Sequence, residues 1–184
     1  MCKDMCKDMC LDKCASCEKL VSCAECLDAW KVAWYRYERA ERLISDTELL
    51  MSEQRYMSAV NRLYYAVFSL MTCPLVLFGV PDIKEHAGVR KQYNNLCIRN
   101  KRAIRLETSN TVYTVNFPSP LTNKELDNLM TLRHQCDYED RIIFEESDVK
   151  PYLDKAKSLL GGMHLWLNAT AALTSTQVTI FGIK

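Results

Sequence analysis

The stretch Leu126-Asp127-Asn128-Leu129-Met130-Thr131-Leu132-Arg133-His134-Gln135-Cys136-Asp137-Tyr138 spaces its apolar residues three and four apart, the interval that gathers them on one face of an α-helix. Carried forward from Leu126, Leu129 and Met130, that face next meets Arg133 and Asp137. A charge on an inward stripe has to be paired, or solvated in a cleft, because an unpaired buried charge costs several kcal/mol or more. The stretch therefore implies a helical fold and a polar site built around Arg133. Arg133 and Asp137 are four apart and so are neighbours along the helix, but in the order opposite to the favourable one for an exposed ion pair. The alternative is an interhelical polar cluster joining them to Tyr64, Tyr65 or Asn61.

Working outward, the same spacing recurs. Trp30, Ala33, Trp34, Tyr37, Ala40 and Ile44 share a stripe, which predicts a first helix from about Asp28 to Leu50. Tyr56, Val60, Leu63, Tyr64, Val67 and Met71 predict a second, expected to stop before Pro74 because the residue preceding proline resists the helical region. Gly79 and Pro81 mark a turn, and a third helix is expected from Ile83 to about Cys97. Residues 98–120 are hardest to read; weak alternation from Val112 to Phe117 suggests a flap or small hairpin. Thr122 and Glu125 form a capping box that opens a fourth helix through Asp137. Val149, Tyr152, Leu153, Ala156, Leu160, Met163 and Leu167 predict a fifth, with Gly161-Gly162 as a soft spot. The organisation expected is a Cys-rich extension over residues 1–27, an all-α up-and-down bundle of four to five helices over 28–167, and an extended or disordered tail over 168–184.

Composition agrees with a helical domain. The 184 residues are 48% hydrophobic with only 5 Gly and 5 Pro, too few for a turn-rich β fold. The 24 basic and 23 acidic residues nearly cancel, so net charge names no polyanionic partner. Their distribution is uneven: Lys84, Arg90, Lys91, Arg99, Lys101, Arg102 and Arg105 make a basic strip, and 8 acids lie between Leu121 and Asp148. A basic strip beside a cleft favours a phosphate-bearing ligand. The amino terminus alternates Lys and Asp with Cys, unlike a signal peptide, and the longest apolar run, Ala66 to Val80, is interrupted by Pro74. The expectation is a cytoplasmic protein with reduced thiols and no membrane association.

Seven of the 10 cysteines fall in residues 1–27. Cys14-x2-Cys17 and Cys23-x2-Cys26 are two knuckle-like pairs whose four thiolates suit a tetrahedral zinc site, although the loop between them is short. An iron–sulfur cluster within residues 10–26 is the alternative ligand, and a repetitive arm without metal is the other reading. If the arm responds to metal or redox state, the chain would be a regulatory module.

Three runs taken together have a known likeness. Asn61-Arg62-Leu63-Tyr64-Tyr65-Ala66-Val67-Phe68, then Lys84-Glu85-His86-Ala87-Gly88-Val89, then Leu132-Arg133-His134-Gln135-Cys136-Asp137-Tyr138 resemble the small stand-alone prokaryotic proteins of the HEPN domain family, over about residues 28–167. The resemblance implies a homodimer whose conserved helices line a shared cleft. It also implies RNA or nucleotide chemistry, and a small nucleotidyltransferase partner in a toxin–antitoxin type pair. Many members of that family are metal-independent ribonucleases in which an Arg is followed, after four to six residues, by a His. Here those places after Arg133 hold Tyr138, Glu139 and Asp140, so the motif is degenerate.

The binding reading therefore comes first. Arg133 is expected to contact phosphate, Asp137 to orient it, and Tyr138 or Tyr65, with Asn61 nearby, to stack or hydrogen-bond. Because adjacent helical residues point about 100° apart, Tyr64 is expected in the core and Tyr65 in the cleft. The alternative is a metal-independent endoribonuclease using Arg133 with Tyr138 or His86.

Overall fold

A computed structural model describes residues 24–80, 86–99, 104–107, 112–118, 121–139 and 143–175. Within them the order is α1 (Ala24–Ser52), α2 (Tyr56–Leu77), α3 (His86–Arg99), β1 (Ile104–Glu107), β2 (Val112–Val115), α4 (Asn123–Tyr138) and α5 (Glu146–Ser175). The two strands pair antiparallel, with Ile104 opposite Val115 and Glu107 opposite Val112. The architecture is the all-α bundle expected, with the least readable stretch forming a small hairpin.

Helix α2 is the centre of the bundle, packed against α1, α4, α5 and the start of α3. Its Ala59, Val60, Leu63, Ala66, Val67 and Leu70 are almost wholly buried. Around it lie Ala33, Tyr37, Ala40 and Ile44 of α1, Leu126 and Leu129 of α4, and Val149, Leu153, Ala156, Met163 and Leu167 of α5. By length and composition α2 could cross a membrane, but 67% of its most apolar window is buried inside the bundle, as a core helix requires.

Besides α1 beginning at Ala24 rather than about Asp28, two boundaries differ from the sequence reading. Helix α2 does not stop before Pro74; it runs through the proline to Leu77. An interior proline costs about 3 kcal/mol or more, whereas fully burying one large apolar side chain returns about 1.5–3 kcal/mol. Cys73, Leu75 and Leu77 beyond or beside the proline are all buried, so continuing the helix wins. Arg36 of α1 also donates to the Thr72 carbonyl at 3.2 Å. The helix ends instead at Gly79, with φ +66°, where Val80 N–H bonds the Leu75 carbonyl at 2.9 Å. The second difference is at the other end of the chain. Residues from Asn168 do not leave the helix; α5 continues to Ser175, with Ala169 and Thr170 buried and the Thr170 hydroxyl donating to the Trp166 carbonyl at 2.6 Å.

The capping box of α4 forms as read: Glu125 N–H donates to Thr122 Oγ1 and Thr122 N–H to Glu125 Oε2. The segment leading into it is seated on two other helices. Tyr93 of α3 donates its hydroxyl to the Pro118 carbonyl at 3.0 Å, and Phe117 meets Trp166 edge to face at 5.1 Å. Gly162 is not a soft spot but a close approach, since a Cβ placed there would lie 3.3 Å from Pro118 Cβ.

Candidate functional site

The packing of α4 on α2 decides what Arg133 meets. Leu126 and Leu129 enter the core and Met130 does not, being 45% exposed. One turn beyond Leu129, Arg133 is held at the surface of α2, with its side chain 26% exposed and that of Asp137 21%. Arg133 Nη2 lies 2.6 Å from Asp137 Oδ2. The other carboxylate oxygen, Oδ1, accepts from Asn61 Nδ2 of α2 at 2.9 Å. Arg133 Nε is buried and makes no hydrogen bond. A buried donor left unmet costs about 1–3 kcal/mol, so the guanidinium is held but not satisfied.

Aromatic rings surround this cation. The Arg133 Cζ lies 5.7 Å from the Tyr64 ring centroid and 5.8 Å from that of Tyr65, both within cation–π range. Tyr64 is buried in the core and Tyr65 only partly so, as expected, yet Arg133 reaches both rings. The two rings do diverge, edge to face with centroids 5.5 Å apart, but a side chain as long as arginine's reaches the space between them.

His86, the first residue of α3, closes the group. Its Nδ1 is 2.5 Å from the Tyr64 hydroxyl, its ring stacks on Tyr64 at 5.4 Å, and Phe68 lies against it at 4.3 Å. Burial, followed by the nearby Arg133 charge, lowers the His86 pKa below the ordinary imidazole value. Burial raises that of Tyr64, with Arg133 opposing. Helix α3 is fastened to α4 by the ion pair of Arg90 with Asp127 and by Asn94 Nδ2 donating to Asn123 Oδ1 at 2.6 Å.

The structure therefore brings Asn61, Tyr65, Arg133, Asp137 and His86 together with Tyr64, which the sequence placed in the core or, alternatively, in an interhelical polar cluster, and adds Phe68, which it passed over. The signal for Tyr64 was present, since a tyrosine on a buried stripe needs a partner for its hydroxyl. Tyr138 is not part of the group. Its side is 68% exposed, and its ring lies 4.7 Å from His134 on the outer surface of α4. This corrects its placement beside Arg133 as a stacking or catalytic candidate. Of the proposed metal ligands, Cys14, Cys17 and Cys23 lie outside the described residues, and Cys26 is described in its helical backbone alone. Among the described residues no three His, Cys, Asp or Glu side chains gather as a metal site would require.

The shift of His86 has a measurable consequence. A folded pKa below the unfolded one means the unfolded chain binds the proton first as pH falls, so the stability present above about pH 6.5 is lost as pH drops further. The urea midpoint is expected to fall between pH 7.5 and about pH 5.5, and to fall less in His86→Gln. An identical pH dependence in the variant would remove His86 as the cause.

Comparison with known proteins bears on what this site does. The sequence pattern of the HEPN domain matches residues 33–163. A UPF0332 protein from Thermotoga maritima is 28% identical over 134 residues, a span covering 71% of this chain and 86% of that protein. No solved structure matches.

Proposed function

The chain belongs to the HEPN domain family, and from that footing we propose that the groove around Arg133 binds the phosphate of an RNA strand or a nucleotide, with the base against Tyr65. The observation that carries this reading is the state of Arg133: fixed by Asp137, flanked by two tyrosine rings, and still holding an unpartnered Nε. A guanidinium offers a planar set of donors matched to phosphate oxygens, and base–aromatic stacking adds about 1–3 kcal/mol. A homodimer that sets two such grooves face to face, and a nucleotidyltransferase partner, belong to the same reading.

The test is fluorescence anisotropy of a labelled single-stranded RNA and, separately, a labelled adenosine nucleotide, at several salt concentrations. Saturable binding that weakens with salt is expected for at least one of them. Absence of binding to both at low salt sinks the proposal.

A second reading, metal-independent RNA cleavage, is favoured by one specific observation: a neutral imidazole, His86, beside the Arg133 cluster but supplied from α3. In the tautomer that donates Nδ1–H to the Tyr64 oxygen, Nε2 is the basic nitrogen. It would take the 2′-hydroxyl proton as that oxygen attacks phosphorus and the 5′-oxygen leaves. Cleavage in the presence of chelator, abolished in His86→Gln, supports this; intact RNA after prolonged incubation with wild type removes it.

A further inference from the structure

We propose that Asn61 is a positioning residue of this groove: by holding one oxygen of Asp137 it restricts that carboxylate to a single contact with Arg133, leaving guanidinium donors for a phosphate. The inference rests on the groove being a phosphate site.

The geometry is that of a competition. Nε and Nη2 share one edge of a guanidinium, the edge on which a carboxylate ordinarily closes as a two-pronged fork. Asp137 is on the same helix and within reach of that edge, yet it makes only the Nη2 contact, through Oδ2 at 2.6 Å. Its Oδ1 is turned to Asn61 of α2 at 2.9 Å, and Nε is left without an acceptor. The donor left over is the one that Oδ1 would otherwise take. An unmet donor raises the free energy of the empty groove, and any oxyanion that supplies the missing acceptor recovers it. The Arg133 side chain is 26% exposed while Nε itself is buried, so an oxyanion arriving from the exposed part reaches that edge once the guanidinium shifts toward it. Without Asn61, Asp137 closes on Arg133 as a fork and competes with phosphate for the same edge. Asn61 therefore acts through Asp137, and the ligand never needs to touch it.

A double-mutant cycle tests this with the labelled single-stranded RNA. Asn61→Leu is expected to weaken binding about tenfold in the wild-type background, the equivalent of one charge-assisted hydrogen bond. In the Asp137→Asn background, where no charged fork can form, the same change is expected to alter affinity about twofold or less. Equal losses in both backgrounds would show that Asn61 merely packs, and no loss in the wild-type background would overturn the proposal outright. A second readout needs no ligand. In protein labelled with 15N-arginine, the Arg133 Nε–H resonance is expected to move downfield and exchange more slowly in Asn61→Leu as Asp137 takes it up. An unmoved resonance contradicts the proposal even if affinity falls. Should Arg133→Ala bind RNA as tightly as wild type, the phosphate reading itself fails, while the resonance still reports whether Asn61 restrains Asp137.

Discussion

Arg133→Ala is expected to weaken RNA binding about a hundredfold, the largest effect of any single change in the groove. Two contributions add. The first is the loss of donors to phosphate, where each charge-assisted hydrogen bond is worth about 1.5–3 kcal/mol. The second is the carboxylate of Asp137, which stays beside the phosphate once its partner 2.6 Å away is gone. A like charge at that place repels the ligand, so the loss exceeds that of one contact; about 2.8 kcal/mol corresponds to the hundredfold change. Arg133→Lys is expected to recover only part of it, because an ammonium keeps the charge but not the planar fork or the fit between the Tyr64 and Tyr65 rings. Anisotropy titrations at fixed salt measure both variants, and an alanine variant within threefold or so of wild type would refute the assignment of Arg133 to phosphate.

Trp166→Ala is expected to cost about 3–5 kcal/mol of stability, the range for removing a buried tryptophan. Trp166 is 3% exposed and touches three parts of the chain: its own helix, Phe78 at the end of α2, and Phe117 after the hairpin. For a chain of this size, that loss corresponds to a melting temperature lower by roughly 10 °C. Differential scanning calorimetry or a chemical denaturation curve measures it. A drop of only a degree or two would mean that the hairpin exit and α2 repack around the gap. Because Trp166 lies outside the Arg133 group, RNA affinity at a temperature where the variant is folded is expected to stay near that of wild type.

Much of the bundle could be read from residue order because local signals and burial agreed. Thr122 and Glu125 announced the start of α4, and the stripe from Val149 to Leu167 announced α5, since each position's preference pointed the same way as the packing. Pro74 was misread because its local preference is real but smaller than the burial of the residues around it. The last turns of α5 were missed for the same reason, since Ala169 and Thr170 are buried by a tertiary arrangement that residue order does not reveal.

The site was less legible. Asp137, four residues after Arg133, stays about 40° from it around the helix, whereas Tyr138 lies about 140° away and faces solvent. That distinction was open to helical geometry alone. The approach of His86 to Tyr64 was not, because the two are on different helices and no periodicity within either says where the start of α3 lands. Met130 was assigned inward by the same stripe that placed Arg133, and its 45% exposure shows that the buried line of α4 runs through Leu126 and Leu129 instead.

Pro118 is bonded by α3, pressed on Gly162 of α5, and followed within four residues by the N-cap of α4. The depth at which that proline rests therefore fixes where α4 begins and, through a rigid rod of about 16 Å, where its guanidinium comes to lie. A methyl group added at position 162 would lie 3.3 Å from Pro118 Cβ and press on the segment that leads into α4, a strain felt first at the start of that helix.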